Sequence, residues 1–160
     1  MQENVTSVER SLGIARDFDV RPDGSWVAVF ERAGKLYVDT SYSGGFPLPD
    51  PVRFPILRAM GYDRVLVVDS RPMRGAAGGL VLSMDGELQT TVAVGDGVMD
   101  VVILDDLIGV TYFDEGVFSG VRPSEQGIAF FEFSGKLLAV TERCSVPKRS
   151  ISLIAMPSAG

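Results

Sequence analysis

The 160-residue chain contains no histidine and a single cysteine, Cys144. A cysteine nucleophile needs a neighbouring base, most often histidine, so the sequence argues against cysteine catalysis. One cysteine also excludes an intramolecular disulfide framework and favours a reducing compartment. We therefore expect a cytoplasmic protein. No phosphate-binding loop or other cofactor motif occurs, so we expect no cofactor.

Positive charge and long apolar segments are also scarce. The net charge is −6, and the longest basic run is the pair Lys148 and Arg149. A nucleic-acid-binding protein needs a positive surface that displaces counterions, so we expect no nucleic acid partner. No segment approaches the roughly 18 consecutive apolar residues that suggest a membrane span, and residues 1–10 lack the apolar core of a signal peptide. The sequence therefore predicts no membrane partner.

What the sequence does contain is an internal repeat of short strands. Segment 54–69 is similar in pattern to segment 100–113, and segment 79–86 is similar to segment 127–135. Arg64 aligns with Ile108 and Gly86 with Gly135, which gives a period of roughly 44 to 49 residues, typical of β-propeller blades. Complete rings usually have about 4–8 blades, more than this length supplies. The sequence predicts an all-β fold: a partial β-propeller-like array of about three antiparallel sheets.

Turn residues and apolar runs set the predicted boundaries. We expect an N-terminal arm at residues 1–14 and one propeller-like domain at 15–160, with units at about 15–45, 54–95 and 98–143 and an extra strand at 150–156. The intervening segment 41–51 carries three prolines and two glycines, which predicts a linker and not a strand. No helix longer than about ten residues is expected between residues 56 and 143.

Two continuous apolar runs indicate how the sheets pack. Residues 65–68 and 101–104 contain no polar side chain. Such runs are typical of strands that are covered on both faces, whereas a sheet with one wet face alternates. The sequence therefore predicts blades that stack face to face.

The candidate functional residues are mostly acidic. Asp96 lies between two glycines, which permit a positive φ and close backbone approach, and Asp100 follows. Asp114 and Glu115 come where a strand ends and a loop begins, a common place for binding residues. These carboxylates could bind a ligand, hold a hard cation such as Ca²⁺, or supply a general acid or base. The alternative is that they are ordinary turn and loop charges, and the presence of a metal stays open.

Two arginines extend this candidate site. Arg71 and Arg74 lie in the loop of the preceding unit that corresponds to the loop after Asp114. If the two loops share a rim of the array, these arginines are expected to pair with Asp114 or Glu115. We also expect Asp96 and Asp114 to lie on one rim.

The strings GDGVMD (95–100), YFDEGVFS (112–119) and GIAFFEFSG (127–135) resemble an uncharacterised bacterial family of propeller-like proteins. Members of that family carry a GDGI-x-D turn, a YFDEGVFG strand end and a GL-x-x-F-D-x-x-G hairpin. The resemblance covers residues 60–140, and Ser119 replaces the family's glycine. It implies a propeller-like fold and no established activity.

These observations favour a non-enzymatic binding or interaction protein whose ligand is unknown. The alternative is a hydrolase or lyase that uses Asp96, Asp100, Asp114 and Glu115, with or without a divalent metal. An array of about three blades leaves apolar terminal faces uncovered, so we expect a homodimer that completes a larger ring. The alternative is a single chain closed by residues 151–155.

Overall fold

In the described part of the chain, short runs of β-branched and aromatic residues, separated by glycine-containing turns, form twelve strands. A computed structural model describes residues 13–48 and 52–140. The first sheet contains β1 (Ile14–Val20), β2 (Trp26–Arg32), β3 (Lys35–Thr40) and β4 (Phe46–Pro47). The second contains β5 (Pro55–Met60), β6 (Arg64–Asp69), β7 (Gly78–Ser83) and β8 (Leu88–Ala93). The third contains β9 (Val98–Leu104), β10 (Leu107–Tyr112), β11 (Ile128–Glu132) and β12 (Leu137–Val140).

Each sheet is a four-stranded antiparallel meander in which strands that follow one another in the chain are paired. We call the sheets blade 1, blade 2 and blade 3 in chain order. The connection between β10 and β11 holds a four-residue helix, α1 (Asp114–Val117), and a 3₁₀ turn at Ser124–Gln126. The structure confirms the predicted all-β fold as an open array of three propeller-like blades, and no long helix interrupts residues 56–140.

The core lies between the blades. One buried cluster joins blades 1 and 2, with Val27 and Val29 packed against Val65 and Val67. A second cluster joins blades 2 and 3. It contains, among others, Leu66, Val68, Val81, Ile108, Val110, Tyr112 and Phe131. Successive residues of β6 therefore face opposite clusters, which confirms the prediction that the run 65–68 is covered on both faces.

The second apolar run behaves differently. Val101 is buried in the cluster between blades 2 and 3, but Val102 and Leu104 are 45% and 48% exposed. Blade 3 has no neighbouring blade on its other side among the described residues. The expectation that 101–104 is covered on both faces is therefore wrong for this face of the described array.

The segment 41–51 also differs from its prediction as a linker. Phe46 and Pro47 form β4, which pairs with β3 at Tyr37 and Val38. Burial of the Phe46 side chain in the cluster between blades 1 and 2 holds this segment against the sheet. Proline is tolerated because β4 is an edge strand with no further ladder partner.

The first strands of the three blades run side by side in the same direction. Asp17 and Asp19 of β1 accept hydrogen bonds from the Leu57 and Ala59 amides of β5, at 2.7 and 2.9 Å. Arg58 of β5 in turn donates to the Val101 carbonyl of β9, at 2.7 Å. The antiparallel meanders therefore place all long connections of the described residues at one end of the array, together with the short β2–β3 turn at residues 33–34. The other hairpin turns lie at the opposite end.

We call these two ends the loop rim and the turn rim. The loop rim carries segments 52–54, 70–77, 94–97 and 113–127 and the hairpin turn at 33–34, and residues 49–51 lie outside the described part. The turn rim carries the hairpin turns at 21–25, 41–45, 61–63, 84–87, 105–106 and 133–136. Ile14 belongs to β1 and not to the predicted arm, while the rest of the arm up to residue 12 and the strand predicted at 150–156 lie outside the described residues.

Candidate functional site

The loop rim contains most of the predicted site residues, and two glycines bring its segments together. Gly95 and Gly97 have positive φ values of 83° and 67°, as the sequence predicts for the residues around Asp96. A Cβ on Gly116 would lie 2.4 Å from the Asp96 carbonyl oxygen. The backbone of α1 therefore packs directly on the linker between blades 2 and 3. Asp96 and Asp114 lie on the same rim, and the linker is not a hairpin turn because β8 and β9 belong to different sheets.

The Asp96 carboxylate folds back on its own backbone. Its Oδ1 accepts a hydrogen bond from the Gly97 amide at 2.8 Å, and the Asp96 amide donates to Ser124 Oγ at 3.4 Å. Ser124 is completely buried and donates to the Val121 carbonyl at 2.6 Å. Asp96 thus organises the junction between the linker and the loop 113–127. No sequence pattern indicates that Ser124 takes part.

Asp114 and Glu115 begin α1 and are exposed. Glu115 Oε2 lies 3.6 Å from Arg71 Nη2, the pairing that the sequence predicts for two loops on one rim. Both side chains are largely exposed, so this pair contributes about 0–1 kcal/mol to stability. Arg74 is exposed and makes no hydrogen bond or ion pair with another described residue. The rim therefore brings together Arg71 and Glu115 but not Arg74.

Asp100 lies away from this group, on β9. Its Oδ1 accepts a hydrogen bond from Arg58 Nη2 at 2.6 Å, and Arg58 Nη1 lies 3.1 Å from Asp17 Oδ2. Arg58 therefore joins the first strands of all three blades. This role makes Asp100 part of the contact between blades 2 and 3 and separates it from the other three carboxylates.

No group of three or more carboxylate or cysteine side chains within residues 13–48 and 52–140 is arranged to hold a metal ion. Asp96, Asp100 and Glu115 each face a different partner, as described above. The geometry thus gives no support to a shared acidic centre.

Asp69 is the buried charged side chain of the loop rim that sequence reasoning missed. It is 5% exposed and lies at the end of β6. Its carboxylate accepts hydrogen bonds from the amides of Arg53, Phe54 and Arg71, at 3.2, 3.3 and 3.0 Å. These bonds fix two loops relative to each other. The sequence signal for this role is an aspartate at the end of a predicted strand. Aspartate is also common in ordinary turns, so the signal does not distinguish Asp69 from a turn residue.

Tyr112 is a second missed residue. Its hydroxyl donates to the Val94 carbonyl at 2.6 Å, and burial raises the pKa of Tyr112. Val94 directly precedes the linker that carries Asp96, so this hydrogen bond ties blade 3 to the end of blade 2. Ser119 has a comparable local role, because its hydroxyl donates to the Gly116 carbonyl at 2.7 Å.

The connected loops surround an open groove of about 320 Å³ at the loop rim, which we call the loop-rim groove. Its walls come from all three blades, and the described residues that line it include no acidic side chain. They include Arg16, Arg53, Phe54, Ser70, Met99 and Phe113. A second groove, of about 390 Å³, lies between the first strands toward the turn rim. Its charged side chains Asp19, Arg21 and Arg58 all bind protein groups.

The turn rim carries a polar cluster of its own. The Arg21 guanidinium lies between the rings of Tyr42 and Tyr62, 4.9 and 4.7 Å from their centres. Tyr62 donates to Asp23 Oδ2 at 2.6 Å. Hydrogen bonds from Tyr62 and Ser25 lower the pKa of Asp23 from 3.8 to about 2, and the bond to Asp23 raises the pKa of Tyr62. This cluster ties the hairpin turns of blade 1 to the first turn of blade 2.

Comparison with protein-family models and with curated proteins finds no match to this chain. Within the described segments, every helix is too short to cross a membrane.

Proposed function

We propose that the chain is a non-catalytic interaction module, and that its terminal blades bind those of a second copy. The observation that supports this proposal is the difference between inner and outer blade faces. Both faces of blade 2 are covered by neighbouring blades, whereas the outward faces of blades 1 and 3 expose large apolar side chains. Exposed apolar patches of this kind mark association surfaces.

The exposed residues form two patches toward the turn rim. On blade 1, Phe18 and Val20 are 64% and 53% exposed and share the outward face with Trp26, although Phe30 on that face is buried. On blade 3, Val102 and Leu104 are 45% and 48% exposed on the outward face, and Ile128 extends this face toward the loop rim. Both patches include residues of the first strand of their blade, β1 or β9. The first strands also take part in the contacts between neighbouring blades within the chain.

Within one chain, blade 1 packs on blade 2 and blade 2 packs on blade 3. A contact between blade 3 of one copy and blade 1 of the other continues this order around a ring. Two copies form two such contacts, related by a two-fold axis along the centre of the ring. The resulting ring has six blades, within the usual range of about 4–8. Blade-to-blade stacking of this kind needs no new type of interface.

Leu104→Glu tests the proposal by light scattering coupled to size exclusion at micromolar concentration. The unaltered chain is expected at twice the monomer mass of 17.2 kDa, and Leu104→Glu at the monomer mass. Leu88→Glu is the matched control because Leu88 on β8 is equally exposed, at 48%, but lies on blade 2. It should leave the dimer intact.

A monomer mass for the unaltered chain that is independent of dilution would overturn the pairing. Closure by residues 151–155 of the same chain predicts that outcome. The hydrolase or lyase alternative needs Asp96, Asp100, Asp114 and Glu115 to act together, and no specific feature of their surroundings favours it.

A further inference from the structure

The loop-rim groove offers a binding surface that is separate from the outward blade faces. Phe54, Met99 and Phe113 line it and are 56%, 50% and 44% exposed. Phe54 and Phe113 come from two different connections, and Met99 comes from the first turn of strand β9 next to the loop rim. Three separate segments therefore contribute an apolar side chain to one concave surface. Its volume of about 320 Å³ falls at the lower end of the range of ligand pockets, about 300–1,000 Å³.

Hydrogen bonds between backbone groups hold these segments in place. The Ser70 amide donates to the Phe54 carbonyl at 2.9 Å, and the Val98 amide donates to the Ser70 carbonyl at 3.0 Å. The Phe113 amide donates to the Gly97 carbonyl at 2.8 Å. Together with the buried Asp69 carboxylate, these bonds fix the walls before any ligand arrives, which lowers the entropic cost of binding.

The charge of the groove is opposite to that of the chain. The net charge is −6, yet among the described residues the charged side chains that line the groove are those of Arg16 and Arg53. Arg16 binds Glu31. Arg53 donates to the Arg71 carbonyl and lies 5.9 Å from the Phe54 ring, and it has no carboxylate partner among the described residues. Within the part of the chain that the structure describes, Arg53 therefore offers positive charge without a carboxylate partner, beside an exposed aromatic ring.

We propose that the loop-rim groove binds an acidic peptide segment that carries an aromatic side chain. The aromatic side chain packs against Phe54, Met99 and Phe113, and a neighbouring carboxylate accepts hydrogen bonds from Arg53. Charge-assisted hydrogen bonds from arginine suit a carboxylate. One chain supplies every residue of this groove, so the inference is independent of blade pairing between copies.

Isothermal titration with a capped pentapeptide, phenylalanine between two glutamates on each side, tests this inference, with backbone-amide NMR shifts to locate the peptide. Saturable binding should shift the amides of Phe54, Met99 and Phe113. Arg53→Gln should weaken binding about tenfold, as expected for loss of a hydrogen bond between charged groups. Phe54→Ala should weaken it as well, and its exposure predicts that this variant folds.

Arg64→Gln is the matched control. Arg64 also lies over a phenylalanine ring, 5.5 Å from the centre of Phe133, but it begins β6 next to the turn rim. This variant removes the same charge and should leave the dissociation constant within about twofold. The Leu104→Glu chain should bind the peptide as the unaltered chain does, which separates this test from the test of blade pairing.

Three results would each overturn the inference. One is the absence of saturable shifts at the groove with millimolar peptide. Another is equal binding of a peptide in which lysine replaces every glutamate. The third is equal weakening by Arg53→Gln and Arg64→Gln, which would indicate general charge attraction and not recognition in the groove.

Discussion

Two carboxylates, one on each rim, accept three hydrogen bonds apiece but do so in opposite surroundings. Asp69 on the loop rim is buried and binds three backbone amides from two loops. Asp23 on the turn rim is exposed and binds the Ser25 amide, the Ser25 hydroxyl and the Tyr62 hydroxyl. Water can replace the partners of the exposed Asp23 carboxylate, whereas burial of the Asp69 carboxylate limits its contact with water. The same number of hydrogen bonds therefore has unequal consequences for stability.

Among substitutions on the two rims, Asp69→Asn is expected to cause the largest decrease in the free energy of unfolding. The asparagine amide group replaces one acceptor oxygen and faces a backbone N–H, which leaves a buried donor unsatisfied at a cost of about 1–3 kcal/mol. Urea unfolding followed by circular dichroism measures this loss. A change in the free energy of unfolding as small as that of Asp114→Asn, whose carboxylate is exposed, would show that burial does not raise the contribution of a carboxylate to stability.

Tyr112→Phe is expected to cost about 1 kcal/mol, because it leaves the buried Val94 carbonyl without its hydrogen-bond donor. The apolar ring stays in place, so the core between blades 2 and 3 keeps its packing. The same unfolding experiment measures the effect. No loss of stability would mean that another donor replaces the hydroxyl and that the loop rim depends less on this bond than the geometry indicates.

The exposed Asp23 carboxylate should instead make a small contribution to stability that depends on pH in the acidic range. The folded pKa of Asp23, about 2, lies below its unfolded value of 3.8. Its contribution to stability is therefore present above pH 3.8 and is lost as the pH falls toward 2. Tyr62→Phe removes the largest cause of the shift, so the melting temperature of this variant should depend less on pH in that interval. Parallel curves for the two proteins would contradict the assignment.

Asp114→Asn should have the smallest effect, because the Asp114 side chain is exposed at the start of α1. A solvated charge in a loop contributes little to folding. Thermal unfolding is expected to give a melting temperature close to that of the unaltered chain. A large decrease would mean that Asp114 is structural and would place a second essential carboxylate on the loop rim.

The repeat and the apolar runs were sufficient to predict the all-β fold and the stacking of blades, because burial of apolar faces dominates both. They were not sufficient for β4, since the prolines around Phe46 suggest a linker while burial of its ring favours a strand. The runs 65–68 and 101–104 look alike in sequence, yet among residues 13–48 and 52–140 only the first run has a neighbouring blade on each side. Coverage of a face depends on the number of blades, which local sequence does not encode.

Contacts in the candidate site could be predicted only between residues whose positions in the repeat place them on the same rim. Arg71 and Glu115 occupy corresponding loops of successive units, so their proximity followed from the repeat. The bonds of Asp69 and the contact between Asp96 and Ser124 depend on how loops from different units fold over one another. Nor could the sequence show that Phe54, Met99 and Phe113, far apart in the chain, line one groove.

The strand β6 has a further consequence for how the molecule opens. Val65 and Val67 belong to one core, while Leu66 and Val68 belong to the other. Blade 2 cannot leave the array without exposing both cores at once, whereas blade 1 or blade 3 can detach and expose only one. Native-state hydrogen exchange should therefore be slowest at the amides of β6, where release requires global unfolding, and faster in the terminal blades through partial opening.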